Sequence, residues 1–350
     1  MKIPNKLLNI IVNNAKNYIP RGEIAYLRCR DSYLSLSFVS HTFAYKTRKA
    51  LEISAENFGA YINFDLLKNA LRSLKGEDSD IEITSNFLTI KNSSSIFKLN
   101  TMSGGLSLPK IDFINSFQPE NSAILNNSIK RFRYFAPVDD LFTFSCVNIT
   151  PKNGNTICWV TDGIGVFGET LELKIPKAFT IPGKWAVNLL EVNKIEFAEN
   201  WMKYSNNEEA LLVRSQIADN KKMLDLIDEN CGLQFDKPTI VLSKENIIPF
   251  LENNKSLFKE SYGLTINLIP PTNIKLYLET EIYSAEFVTN SIIEFITETN
   301  FTINPEYLLK MLSSIEGNDM EFDIRERYFK ARSAANDFYF LPYYKKEGEA

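Results

Sequence analysis

The 350-residue sequence predicts an α+β chain of three repeated units, each with two helices packed on antiparallel sheets. Three observations predict it. Helical segments recur at nearly constant spacing. The stretches between them alternate polar and apolar residues with many β-branched and aromatic side chains. The length exceeds the roughly 250–300 residues at which one hydrophobic core stops growing. With 44% hydrophobic and 23% charged residues, 14 Gly and 14 Pro, the composition is globular and excludes a disordered or collagen-like chain.

The late helix of each unit is the clearest repeat. INFDLLKNALRSLKGEDSDIEI starts at Ile62, IPGKWAVNLLEVNKIEF at Ile181 and INPEYLLKMLSSIEGNDMEFDI at Ile303, offsets of 119 and 122. Each reads as a β-type residue, a cap or turn residue, an amphipathic helix and a polar turn into a strand. An earlier helix precedes each one, near Asn5 (NKLLNIIVNNAK), Asn126 (NNSIKRFRYF) and Ser243 (SKENIIPFLENNKSLF), offsets of 121 and 117. Between early and late helices lie strand-like segments: YLSLSFVSHTFAYKTRKALEIS, NTICWVTDGIGVFGETLELKI and NIKLYLETEIYSAEFVTNSIIEF. Further strands follow each late helix: FLTIKNSSSIFKLNT, WMKYSNNEEALLVRSQ and YFKARSAANDFYFLPY. Each unit thus holds about eight short strands, and units of this length are domains rather than solenoid modules. Pro, Asn and Gly cluster near Asp112–Pro119 and Asn230–Pro238, which divides the chain into 1–118, 119–236 and 237–350. Pro249 falls inside the fifth helix, where proline costs ~3 kcal/mol, so that helix is expected to start late or kink.

Few chemistries survive a reading of the reactive residues. The four cysteines, Cys29, Cys146, Cys158 and Cys231, form no C-x-x-C pair, which argues against a zinc finger or redox motif. The single histidine, His41, sits in SHTFAY, a strand or its edge. There is no Gly-rich phosphate loop, and Asp139–Asp140 read as loop charge. The expectation is a non-catalytic protein with no metal and no cofactor. No apolar run reaches the ~18 residues of a membrane span. The opening MKIPNKLLNIIVNNAK mixes Asn and Lys through its apolar stretch, unlike a secretory signal, so a reducing cytoplasm is the expected home.

The charge is distributed unevenly. The net charge of −4 excludes a globally basic nucleic-acid binder. Yet the six helical segments carry 14 basic against five acidic residues, net +9, leaving −13 on the rest. In the second helix Phe64, Leu67, Leu71 and Leu74 form the apolar stripe, and Lys68, Arg72 and Lys75 form a separate one. In the first helix Lys6, Asn9, Asn13 and Lys16 align. In the third, Ile129 and Phe132 face inward while Lys130, Arg131 and Arg133 do not; Lys184 adds to the fourth. Stripes of Lys, Arg and Asn without Glu–Lys pairing suit phosphate contact without base readout.

The order, length and threefold repeat resemble the DNA sliding clamp, the beta subunit of bacterial DNA polymerase III. The likeness spans the whole chain and is strongest at Ile62–Ile83, at VTDGIGVFG (Val160–Gly168) and at Phe301–Tyr344. The resemblance implies two copies meeting head to tail in a ring of six domains, lined by twelve helices. At ~10 Å spacing, twelve helices make a circle ~38 Å across, and ~28 Å remains after subtracting helix radii, wider than a duplex. It implies a homodimer that encircles double-stranded DNA without sequence preference and tethers the polymerase for processivity. The DNA-facing residues would be Lys6, Lys16, Lys68, Arg72, Lys75, Lys130, Arg131, Arg133 and Lys184.

The resemblance further implies a groove that receives short hydrophobic peptides of polymerase and clamp-loader subunits. Carried over by position, the groove would use Phe144, Thr161, Gly163, Ile164, Gly165, Val166, Tyr339 and Leu341. Thr161, Asp162 and Gly163 match the family, whereas Ile164 and Gly165 replace its His and Arg. Tyr343 and Tyr344 replace Met and Arg, and Lys345–Ala350 extends past the usual end. These departures admit a second reading, a clamp-fold structural or adaptor protein with a divergent groove and other partners.

Overall fold

A computed structural model of the chain describes residues 2–52, 56–74, 78–84, 86–102, 104, 110–136, 146–186, 193–215, 225, 227, 240–261, 263–269, 271–291, 299–324, 328–333 and 337–342. The elements run β1 (Lys2–Pro4), α1 (Asn5–Ala15), β2 (Ile24–Arg30), β3 (Tyr33–Val39), β4 (Phe43–Ala50), β5 (Phe58–Asn63), α2 (Phe64–Ser73), β6 (Asp78–Ile83), β7 (Phe87–Lys91) and β8 (Ile96–Asn100). They continue with β9 (Asn115–Ser116), α3 (Pro119–Phe132), β10 (Cys146–Lys152), β11 (Asn155–Thr161), β12 (Val166–Leu171), β13 (Phe179–Pro182), α4 (Gly183–Ala186), β14 (Lys194–Phe197), β15 (Trp201–Ser205) and β16 (Glu209–Arg214). The last set is β17 (Ile240–Ser243), α5 (Lys244–Asn253), β18 (Leu264–Ile269), β19 (Asn273–Glu279), β20 (Ser284–Asn290), β21 (Thr299–Ile303), α6 (Pro305–Ser314), β22 (Asp319–Ile324), β23 (Tyr328–Arg332) and β24 (Asp337–Pro342).

Two compact units form. One comprises Met1–Asn126 with Asn188–Gln216, the other Asn127–Val187 with Ile217–Ala350. The first contains an eight-stranded sheet, β5-β2-β3-β4-β16-β15-β14-β9, and a four-stranded sheet, β1-β6-β7-β8. The second contains an eight-stranded sheet, β13-β10-β11-β12-β24-β23-β22-β17, and a four-stranded sheet, β20-β19-β18-β21. All pairings are antiparallel.

The threefold repeat lies in these orders. Raising every strand number of the first eight-stranded sheet by eight gives the second. Another step of eight gives the two four-stranded sheets, β21-β18-β19-β20 and β8-β7-β6-β1, as the halves of a third. Early helices α1, α3 and α5 follow β1, β9 and β17, and late helices α2, α4 and α6 follow β5, β13 and β21.

Local chemistry repeats with the topology. The Asn63 side chain caps α2 by accepting from the Leu66 N–H at 3.1 Å, and Asn304 caps α6 by accepting from the Glu306 N–H at 2.9 Å. Pro305 opens α6 in the first turn, where no N–H is needed. The turns β3–β4, β11–β12 and β19–β20 are each closed by a hydroxyl: Ser40 to the Phe43 carbonyl (3.1 Å), Thr161 to Gly165 (2.6 Å) and Thr280 to Tyr283 (3.2 Å).

The helices of ten or more residues bury their apolar stripes. In α1, Leu8, Ile11, Val12 and Ala15 are buried, and the helix packs over β3 and β4. In α6 the buried set is Leu308, Leu309, Met311 and Leu312, and α6 packs on α5. The core of the second unit runs from Phe132 and Phe167 to Leu308 and Tyr339.

Two expectations shift and a third narrows. The third helix begins at Pro119, seven residues before Asn126, because a proline at the first helical position starts a helix as readily as it ends one. The fifth helix does not start late: it spans Lys244–Asn253 with Pro249 inside. His41 lies exposed in the β3–β4 turn, at the strand edge rather than within a strand. Residues 187–192 of the expected fourth helix, Asp139–Asp140 and Cys231 lie outside the described residues.

Candidate functional site

The helices of the first unit carry basic side chains on their solvent faces. Lys6, Asn13 and Lys16 of α1 and Arg72 of α2 are exposed, and Asn9 is half-buried. Lys6, Lys16 and Arg72 have no carboxylate partner among the described residues. Lys68 differs: its ammonium bonds Asp65 Oδ1 at 2.6 Å and lies 5.6 Å from the Phe64 ring centre. Asp65 also accepts from the Gly22 N–H at 2.9 Å, and these bonds from Lys68 and Gly22 lower its pKa. Lys75 lies outside the described residues, and the Lys184 side chain is likewise not among those described.

In the second unit the three basic residues of the third helix separate. Lys130 is half-buried with no carboxylate partner among the described residues. Arg133 follows α3 in a single 3-10 turn and bonds the Tyr134 hydroxyl at 2.7 Å and the Ala186 carbonyl at 3.5 Å. Arg131 points into the protein, contrary to its expected place among the phosphate-facing residues. Its guanidinium bonds Glu169 at 3.0 Å, pairs with Asp337 and donates to the Tyr339 hydroxyl at 3.1 Å, with only 12% of the side chain exposed. A helical wheel places Arg131 beside Lys130 but cannot tell that two carboxylates on β12 and β24 await it.

Burial disfavours the Arg131 charge, but Tyr339, Glu169 and Asp337 outweigh that and raise its pKa. Burial raises the Glu169 carboxyl above its ordinary range, with Arg131 opposing. Burial also pushes the Tyr339 hydroxyl up to about 12 and the Cys158 thiol up to about 12. The cysteine is therefore a neutral core group rather than a nucleophile.

The predicted groove residues divide between two faces of one sheet. Thr161 is buried and closes the β11–β12 turn, while the Asp162 carboxylate accepts the N–H groups of Ile164 and Gly165, both at 2.9 Å. Tyr307 donates its hydroxyl to Asp162. Gly163 holds φ +89°, which a side chain would strain, and Ile164 beside it is 48% exposed. Val166 packs with Ile157, Trp159, Ile227 and Phe338, and half-buried Phe340 joins them. A side chain at Gly168 would bring its Cβ within 2.5 Å of the Cys158 carbonyl, so glycine lets this face lie flat.

Tyr339 and Leu341 do not line this face. Each is 1% exposed and packs in the core with Phe132, Phe135 and Phe167. Alternation along β24 turns Phe338 and Phe340 outward instead. The sequence predicts an apolar strand covered on both sides, and from that pattern alone the two faces are interchangeable. Trp159, Phe338 and Phe340 are the side chains sequence reasoning missed. Phe144 lies outside the described residues.

Among the described residues, no group of three His, Cys, Asp or Glu side chains is placed to hold a metal, and no helix is long and apolar enough to cross a membrane.

No family model matches the sequence, and no curated protein sequence matches it. The fold, in contrast, has clear counterparts. The chain superposes on the DNA polymerase III subunit beta of Pseudomonas aeruginosa with TM-score 0.80 and 17% identity, covering 99% of this chain and 100% of that one. The DNA polymerase sliding clamp of Bacillus subtilis gives 0.81 and 16%, with 99% and 98% covered. The Helicobacter pylori beta clamp bound to a DNA ligase peptide gives 0.80 and 15%, with 99% and 100% covered. The fold is that of a bacterial sliding clamp.

Proposed function

We infer, from the sliding-clamp fold as premise, that this chain is a non-catalytic cytoplasmic processivity factor. Two copies close head to tail into a ring around duplex DNA. The ring slides on phosphate contacts without reading sequence and tethers a polymerase. We divide the chain into repeats 1–118, 119–236 and 237–350, with β9 serving the central repeat.

One observation carries this reading. In both eight-stranded sheets the last strand of one early hairpin pairs with the last strand of the next late hairpin, β4 with β16 and β12 with β24. The third pair in the series would be β20 with β8, and among the described residues each is the edge strand of its own four-stranded sheet. Joining them in one chain's copy to the other's completes a third eight-stranded sheet, twice per dimer. Exposed edges with apolar side chains are liabilities that pairing removes, and Ile96 is 66% and Val288 53% exposed.

The register follows from the two existing pairs. Tyr45 faces Leu211 and Phe167 faces Tyr339, which by hairpin position sets Ala285 opposite Phe97. Glu286 then faces Ile96, with Lys98 one diagonal away on the same face. A double variant, A285C with F97C, should give disulfide-linked dimers on oxidation. Each single variant should not, nor should A285C with I96C, one residue out of register. Oxidised in the presence of nicked circular plasmid, the A285C/F97C protein should remain bound in high salt and leave when the plasmid is cut. Failure to crosslink, or retention that survives linearisation, would overturn the ring.

The DNA-facing set supported by the geometry is Lys6, Lys16, Arg72 and Lys130, with Lys68 half-neutralised by Asp65 and Arg131 removed. Changing all four to Ala removes eight cations from the two-copy ring and should reduce the salt slope of DNA affinity by up to ~7 units, at ~0.9 per phosphate contact. An unchanged slope in a salt titration would exclude these faces.

The proposed dock for hydrophobic peptides of polymerase and loader subunits is the surface at Ile164, 48% exposed, and half-buried Phe340, which lies over the buried Trp159–Val166–Phe338 cluster. The departures at Ile164 and Gly165 fit a partner motif altered to match.

A further inference from the structure

The first unit has its own groove at the place in the sheet that matches this dock. It spans the β4–β16 pair on the face away from α1, with a cavity volume near 390 Å³. Its floor is Ala210 and Leu212, which correspond to Phe338 and Phe340 by their partners across the pairing. Lys46 and Arg48 stand where the second unit has Gly168 and Thr170. Lys203 and Phe113 form the far wall, with the ammonium 5.2 Å from the ring centre.

The charges in this groove do not cancel locally. Lys46 is half-buried with no carboxylate partner among the described residues, and burial together with Arg48 and Arg28 lowers its pKa. The Arg48 guanidinium donates to the Asn207 carbonyl at 3.2 Å, has no carboxylate partner among the described residues, and lies 5.2 Å from the Tyr33 ring centre. The carboxylates at the rim are engaged elsewhere: Glu208 pairs with Lys49, and Glu209 takes the Tyr45 hydroxyl. Lys203 is paired with Glu196 at 2.6 Å. Two cations therefore flank an apolar floor without neutralisation.

We propose that this groove is a second docking site, for an acidic peptide segment of a partner protein that carries carboxylates for Lys46 and Arg48 and an aliphatic side chain for Ala210 and Leu212. A nucleic-acid strand fits less well. It would carry one charge per nucleotide past Glu208 and Glu209, more than two cations offset. The site needs neither ring closure nor DNA, so it stands apart from the processivity reading.

The test pans a random-peptide display library against the wild-type protein and against K46E/R48E. Peptides that bind wild type and lose at least ~10-fold on the variant should carry two or more Asp or Glu beside an aliphatic residue. K46A/R48A, milder should the charge reversal unfold the sheet, should lose ~3–10-fold with an unchanged melting temperature. Plasmid retention by the crosslinked ring should be the same for all three proteins, separating this site from the ring. The proposal is overturned if no selected peptide distinguishes wild type from both variants, or if those that do are neutral or basic. It is equally overturned if an oligo-dT strand displaces the selected peptides from wild type.

Discussion

The β4–β16 and β12–β24 pairs have the same backbone design and opposite side-chain solutions. Both are antiparallel, both join an early hairpin to a late one, and both put an acidic residue, Glu209 or Asp337, at the start of the late strand. In the first pair that acid is satisfied by a neutral donor, the Tyr45 hydroxyl. In the second it is gripped by Arg131, with Glu169 and Tyr339 completing the network. The outer faces diverge in the opposite sense. The first is cationic, with Lys46 and Arg48, and the second is aromatic, with Trp159 and Phe338. Repetition therefore copies the strand register and leaves each joint free to specialise.

The difference is sharpest in what removal should cost. Asp337→Ala leaves Arg131 buried with one carboxylate, Glu169, among its described partners and should cost ~3–5 kcal/mol in urea unfolding. Glu209→Gln keeps a hydrogen-bond acceptor for Tyr45 and should cost no more than ~1 kcal/mol. Equal losses at the two positions would break the comparison.

A pH titration sharpens it further. Burial raises the Glu169 carboxyl from its ordinary 4.5, so the folded protein holds that proton more tightly than the unfolded chain. Its contribution is largest below the unfolded value and declines as pH rises through the folded one. Glu169→Gln should remove this decline, visible as a flatter stability profile from mildly acidic to neutral pH. An identical profile for the wild type and Glu169→Gln would show that the carboxyl titrates as it does in water.

The smallest effects belong to the turns. Ser40→Ala and Thr280→Ala each remove one hydroxyl-to-carbonyl bond and two bonds that the same oxygen accepts from N–H groups of the part-exposed turn, and should cost ~0.5–1 kcal/mol apiece. A larger loss at one of them would show that the hairpin tips do not play matching roles.

Much of the architecture was legible from spacing alone. The Asn-capped helices at Asn63 and Asn304 announce themselves because a cap, an apolar stripe and a stop are all local signals. The hairpins around Ser40, Thr161 and Thr280 are legible for the same reason. What stayed hidden depends on partners distant in sequence. Arg131 looks like a surface cation until Asp337, 206 residues later, is folded against it. Tyr339 and Phe340 are both aromatic neighbours on one strand, and only the packing of Phe132 and Phe135 decides which of them is core. The basic groove at Lys46 and Arg48 escaped a reading focused on helices, because those cations sit on a strand and gain meaning only beside Leu212.

A half-built sheet is a hazard as well as a joint. A solitary protomer offers water two ragged margins, β8 and β20, each rimmed by greasy side chains such as Ile96 and Val288. Any stranger with a spare extended segment could zip onto them. In the proposed ring, the time spent open would be bounded by miscoupling, and Lys98 would reach a Glu286 that Lys275 already holds at 2.7 Å within its own sheet.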